Sequence, residues 1–181
     1  MDNLLLKVLS LFSWPDMFCT KATFLVKADE DVFIQMIKLP EFTMSIKNDK
    51  LYGNIWRDAS PNRNQKSKDF VSFTDFEGET FYDYLSGPAY LVPIRFTGKI
   101  ARAKLEHTFS SITDDVMLTG IIPEQLGIPR FHSDKFSSKR QKVNCKLSKF
   151  ISIHGVSSTK KQNMQKFLDT SLDKCKKKKK N

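Results

Sequence analysis

Three consecutive carboxylates, Asp29, Glu30 and Asp31, interrupt the apolar stretch FLVKADEDVFI at residues 24–34. A charge beside a core must be paired, hydrated or bound to a cation, because a bare one is costly to bury. Residues two apart on an extended chain point the same way, so Asp29 and Asp31 can converge while Glu30 faces elsewhere. Oxygen ligands of this kind suit magnesium or manganese, ions that commonly bridge to the phosphates of a substrate. Taken alone, the same pattern also describes hydrated loop acids or a helix N-cap made by Asp29 or Asp31. A second acidic pair, Asp114-Asp115, opens a helical pattern, where carboxylates complement the helix dipole.

The elements that must position these groups can be read from periodicity. Leu4, Leu5, Val8, Leu11 and Phe12 repeat at helical spacing, which predicts an amphipathic core helix broken at Trp14-Pro15. A short buried strand is expected over residues 23–27, ending at the acids, then a helix over 31–39 stopped by Pro40. Residues 57–69, RDASPNRNQKSKD, read as a surface loop, and 84–92, YLSGPAYLV, as a turn followed by a strand. Helical spacing recurs at 95–107 and at 114–126, the second ended by Gly127 and Pro129. A strand over 150–154 and a last helix over 157–173 complete the pattern. Strands alternating with helices argue an α/β fold.

Composition bounds the rest. With 181 residues, 40% hydrophobic content and 15 Phe, the chain can bury one substantial core. Its net charge of +10 is unevenly spread: residues 135–181 hold 15 basic and 2 acidic side chains, which leaves 1–134 at −3. The ending KCKKKKKN reads as a solvated, disordered run, with weak attraction to acidic lipid heads or polyanions as the functional alternative. No aromatic residues are interleaved with it as a nucleic-acid motif would require, so nucleic acid is not an expected partner. Cys19, Cys145 and Cys175 form no CxxC pair; one bridge is possible, with an odd thiol left over. No run of 18 apolar residues exists, and residues 1–14 lack the features of a cleaved leader.

The order of several short motifs resembles the β-1,3-galactosyltransferase and N-acetylglucosaminyltransferase family. Asn3-Leu4-Leu5-Leu6-Lys7 is similar to that family's N-L-T-L-K, Trp14 and Cys19 keep its W-x4-C spacing, and Lys27-Ala28-Asp29-Glu30-Asp31-Val32-Phe33 resembles K-T-D-D-D-V-F. Pro61-Asn62-Arg63 with Ser67-Lys68 is similar to P-x-R-x3-S-K, and Tyr84-Leu85-Ser86-Gly87-Pro88-Ala89-Tyr90 to Y-x-C-S-G-x-x-Y. Asp114-Asp115-Val116 stands where E-D-V is expected, Gly127 follows as in L-G-I, and Ile153-His154 resembles the late V-H.

The resemblance implies an incomplete nucleotide-diphospho-sugar transferase (GT-A-like) fold, a mixed sheet flanked by helices. On that reading residues 1–155 form a partial catalytic domain, 156–173 a C-terminal helix and 174–181 a disordered tail. It implies an inverting hexosyltransferase of the Golgi membrane that moves galactose or N-acetylhexosamine from a UDP-sugar to a glycan hydroxyl in β-1,3 linkage. Asp29, Asp31 and His154 would hold manganese against the diphosphate. Asp115 would take the acceptor's proton as its oxygen attacks. Lys27, Arg63, Ser86, Gly87 and Asp114 would contact substrate, with Ser86-Gly87 as a turn that lets backbone approach the sugars. The chain departs from the pattern in three ways. It lacks the family's anchor, stem and first strands, which implies a truncated member, either active or kept as a binding module. Asp114 replaces Glu, and Leu85 replaces a Cys, which leaves Cys19 and Cys145 to pair with each other or stay reduced.

Overall fold

The structure is a computed structural model that describes residues 2–19, 21–105 and 112–177. Its elements run in the order α1 (Asp2–Phe18), β1 (Phe24–Ala28), β2 (Phe33–Ile34), α2 (Lys38–Ser45), β3 (Leu51–Trp56), β4 (Tyr84–Pro93) and α3 (Ile94–Leu105). A π-helical segment (Val116–Ile121), α4 (Ile122–Gln125), β5 (Arg130–His132), β6 (Phe136–Ser137), a 3-10 turn (Cys145–Lys149), β7 (Ser152–Ile153) and α5 (Ser158–Lys177) follow. The fold is α/β with mixed sheets flanked by helices, as expected. One sheet has the order β1-β4-β3-β5, with antiparallel β1–β4 and β3–β4 pairs and a parallel β3–β5 pair. The second has the order β2-β7-β6.

Three apolar clusters separate the layers. Val8 and Phe12 of α1, Leu85, Tyr90 and Val92 of β4, Ile100 of α3 and Met117 to Ile122 fill the space on one face of the larger sheet. Ala89 and Leu91 of β4 point to the other face, where Tyr52, Phe42 and Phe136 meet them. A third cluster joins Phe33 and Ile153 of the small sheet to Met164 and Leu168 of α5. Leu85 shares a face with Tyr90 and Val92, so the alternation changes phase between residues 85 and 90. The β3–β4 register shifts at the same level, between Gly53 and Ile55. The segment Ser86-Gly87-Pro88 is therefore an irregularity inside one strand, not the expected turn before it.

Other expectations are corrected by long-range packing. Pro15 does not break α1, which continues to Phe18; the buried ring joins the core face, and Cys19 N–H donates to the Pro15 carbonyl at 3.0 Å. The helix expected over 31–39 begins only at Lys38, and Pro40 sits in its first turn, where no intrahelical N–H bond is needed. α3 ends at Leu105, and residues 106 and 107 of the expected helix lie outside the described residues. α5 carries on to Lys177, past the expected boundary at 173; residues 178–181 of the expected tail lie outside the described residues. Gly127 ends the 114–125 helical segment with φ 62°, a left-handed position that favours glycine. The disulfide joins Cys145 to Cys175, and Cys19 is free. Pairing follows from α5 folding back onto the 3-10 turn, a return that local spacing does not encode.

Candidate active site

β1 delivers the acids, but not on an extended chain. The Asp29 N–H donates to the Pro88 carbonyl at 2.9 Å, and the Val32 N–H turns back to the Asp29 carbonyl at 3.1 Å. In this turn the period-two argument fails, and the two aspartates part company. Asp29 Oδ1 accepts from Lys27 Nζ at 2.6 Å. Asp31 Oδ2 lies 3.2 Å from Nε2 of His154, brought across 123 positions of sequence by β2–β7 pairing. Among the described residues no three His, Cys, Asp or Glu side chains group as a metal cage. The expected trio is thus assembled in part, as an Asp31–His154 pair with Asp29 turned onto Lys27.

The chemistry of the pair nevertheless fits a divalent ion. His154 Nδ1 faces the Ser138 carbonyl at 3.2 Å, a group that can only accept, so Nδ1 carries the hydrogen. Nε2 then presents a lone pair toward a carboxylate oxygen, an arrangement satisfied by a shared proton or a cation. A histidine whose second ring nitrogen is tied to a backbone carbonyl is the usual form of a metal ligand. α5 supports the turn from outside, through a hydrogen bond from Lys161 Nζ to the Glu30 carbonyl, and the Val156 N–H donates to the Asp31 carbonyl at 2.8 Å.

Lys27 joins this turn to the second acidic pair. Its ammonium is buried, donates to the Gly87 carbonyl at 2.7 Å as well as to Asp29, and lies 5.7 Å from the Tyr90 ring centroid. The Gly87 N–H in turn donates to Asp115 Oδ2 at 3.1 Å. A Cβ at Gly87 would stand 3.0 Å from that oxygen, so the glycine admits a close approach that a larger residue would crowd. Asp115 Oδ1 accepts from Thr113 Oγ1 at 2.6 Å and Val116 N–H at 2.9 Å, which makes Asp115 a helix cap as well as a partner of β4. The π-helical segment starts there, with the Thr119 hydroxyl on the Asp115 carbonyl at 2.6 Å and accepting from Leu85 N–H at 2.8 Å. Such segments recur at functional sites.

Asp114 is the exceptional group. Its Oδ2 is buried without a hydrogen-bond partner, and burial followed by repulsion from Asp115 raises its carboxyl above the ordinary range, with Lys27 opposing. Tyr84 is pushed up to about 12 by burial and then by Asp115. A carboxyl raised in the fold prefers the neutral form, so its stabilising contribution is complete below the unfolded pKa and lost as pH rises through the folded one. Asp114→Asn is therefore expected to raise stability at neutral pH and to flatten its pH dependence, with little gain under acid conditions; thermal melting across pH measures this.

Two expected contacts, Arg63 and Ser86, serve other partners. Arg63 is spent on the backbone carbonyls of Val71, Ser72, Phe76 and Gly78. Ser86 lines a small recess of mixed character with Asn54, Phe136, Ser138 and Ser152. Lys27 lies within the site, buried between Asp29 and the Gly87 carbonyl. Thr119, buried beside the acidic pair, belongs to no motif, and Tyr90, buried there too, closes the Y-x-C-S-G-x-x-Y resemblance without having been given a role.

Comparison with known proteins sets this geometry in a family. Residues 1–134 match the family model described as Galactosyltransferase. The human lactosylceramide 1,3-N-acetyl-beta-D-glucosaminyltransferase is 34% identical over 84% of this chain and 42% of its own length. Human beta-1,3-galactosyltransferase 9 is 27% identical over 83% of this chain and 41% of its own. The zebrafish (Danio rerio) lactosylceramide 1,3-N-acetyl-beta-D-glucosaminyltransferase A is 31% identical, with 84% and 42% covered. The chain thus spans about two fifths of the length of the curated relatives it matches.

Proposed function

The chain belongs to the galactosyltransferase family, and from that premise we propose that it takes part in transferring a hexose from a UDP-sugar to a glycan hydroxyl in β-1,3 linkage, with inversion. The observation that carries this reading is the Asp31–His154 pair, an oxygen and a nitrogen donor 3.2 Å apart with the imidazole hydrogen tied to Ser138. These two residues would hold manganese, with Asp29 as a third ligand once released from Lys27. When bound, that ion supplies positive charge against the diphosphate as UDP departs. Lys27 holds the acid turn and Gly87 in one frame. Asp115 accepts the proton of the acceptor hydroxyl at Oδ2, which takes a single hydrogen bond and keeps a lone pair open. Asp114 orients the acceptor beside it. The Golgi membrane, which the family resemblance implies, is the proposed location; among the described residues no helix is long and apolar enough to cross a membrane.

Manganese and UDP, added separately and together while thermal melting is followed, test this. At a hundredfold excess over Kd a bound ligand stabilises by about 2.7 kcal/mol. The pair together is expected to raise the melting point, and the rise to vanish in Asp31→Ala and His154→Ala. No rise, or an equal rise in both variants, rejects the reading. A rise without transfer of labelled hexose identifies a donor-binding module instead.

A further inference from the structure

Lys38, Lys135 and Lys149 play no part in the site above, yet they line a cleft of their own. Between α2 and the start of β7 lies a cavity of about 440 Å³, within the range of small-ligand pockets. Its floor is apolar: Phe42 and Ile151 are both buried. Its rim carries Lys38, Lys135 and Lys149, opposed only by Glu41, which pairs with Lys38 at 3.5 Å. Lys135 Nζ sits 4.8 Å from the Phe42 ring centroid, placing one cation directly over the floor.

The backbone that carries these lysines is fixed on both sides. The Lys135 carbonyl accepts from the N–H groups of Ile151 and Ser152 at 2.8 and 3.2 Å. Lys149 closes the 3-10 turn that the Cys145–Cys175 disulfide ties to α5. A net positive rim over an apolar floor suits a ligand with an anionic substituent on a compact, weakly polar ring. A flat anionic surface would not fill a concavity. Nucleic acid would need a row of aromatic faces for successive bases, whereas Phe42 is the one aromatic ring that lines this cleft.

We propose that this cleft binds an acidic saccharide, with its sulfate or carboxylate on Lys38, Lys135 and Lys149 and its ring against Phe42 and Ile151. That the ring is a sugar rests on the glycosyl-transfer reading; the anion site does not. Ile151 stands three residues before His154, roughly 10 Å along an extended chain. A bound saccharide would therefore lie within reach of the candidate active site.

The test is calorimetric titration of a sulfated disaccharide, its unsulfated counterpart and inorganic sulfate, without manganese or UDP. The sulfated sugar is expected to bind, the unsulfated one not to, and binding to weaken with salt. The double variant Lys135→Gln/Lys149→Gln should weaken it at least tenfold with melting unchanged, because both side chains are exposed. Deleting residues 176–180 should leave binding intact, and so should Asp31→Ala, which keeps failure of the transferase reading separate. The proposal is overturned by equal binding of the unsulfated sugar, by inorganic sulfate binding as tightly as the disaccharide, or by loss only on deletion of 176–180. Adhesion to vesicles of anionic lipid without disaccharide binding overturns it as well.

Discussion

Replacing Lys27 with methionine is expected to cost the fold about 3 kcal/mol, although methionine matches the apolar stem. The ammonium is 7% exposed and serves Asp29 and the Gly87 carbonyl together. Removing one member of a buried ion pair costs about 3–5 kcal/mol. Here the lower end applies, because the Asp29 side chain is 42% exposed and can hydrate once released. The Gly87 carbonyl loses its ammonium donor as well, and Asp114 loses the positive charge that opposes its neutral form. Urea unfolding should show a lowered midpoint at unchanged slope. The double variant Lys27→Met/Asp29→Asn should recover part of the loss, as coupled neighbours do. A midpoint shift worth under 1 kcal/mol would mean that the ammonium does not hold these segments together.

Lys27 also shows where reading the sequence succeeds and where it stops. The run of strand-forming residues and the acids after it are local facts, and β1 appears over Phe24–Ala28 where residues 23–27 were expected. The helix dipole argument likewise locates Asp114-Asp115 at the start of a helical segment, and Gly127 at its end. The destination of a side chain is set by distant residues. Lys27 looks like a loop cation beside two carboxylates, but β4 supplies a carbonyl and a ring that draw it inward. Asp29 and Asp31 look convergent until one hydrogen bond from Val32 makes a turn of them. Pro15 and Pro40 look like breaks, but burial of one ring and first-turn placement of the other remove the penalty. Cys145 finds Cys175 because α5 returns to the 3-10 turn, and no spacing rule reports a return. The pairing of Asp31 with His154 was legible only through motif order, since nothing local connects them.

Arg63 carries the other large effect, and it is a matter of hydrogen-bond geometry rather than charge. The span between β3 and β4 has an isolated bridge, Asn62 with Phe70, as its pairing outside named strands. One guanidinium organises the rest: Nη1 donates to the Val71 and Ser72 carbonyls, both at 2.8 Å, and Nη2 to Phe76 and Gly78 at 2.6 and 2.9 Å. Its plane also lies 4.0 Å from the Phe73 ring centroid. Hydrogen bonds to a charged group are worth about 1.5–3 kcal/mol each, though four on one side chain do not add. Arg63→Ala is expected to cost about 4 kcal/mol. Arg63→Lys should still cost about 2 kcal/mol, because a point-like ammonium keeps the charge and loses the fork. The damage reaches the site through Phe76 and Phe81, which pack on the same core as Leu85 and Val116 and so brace the start of β4. Both variants should expose residues 64–79 to protease before global unfolding, with alanine cut faster. If lysine proves as stable as arginine, electrostatics rather than the planar fork anchors the loop.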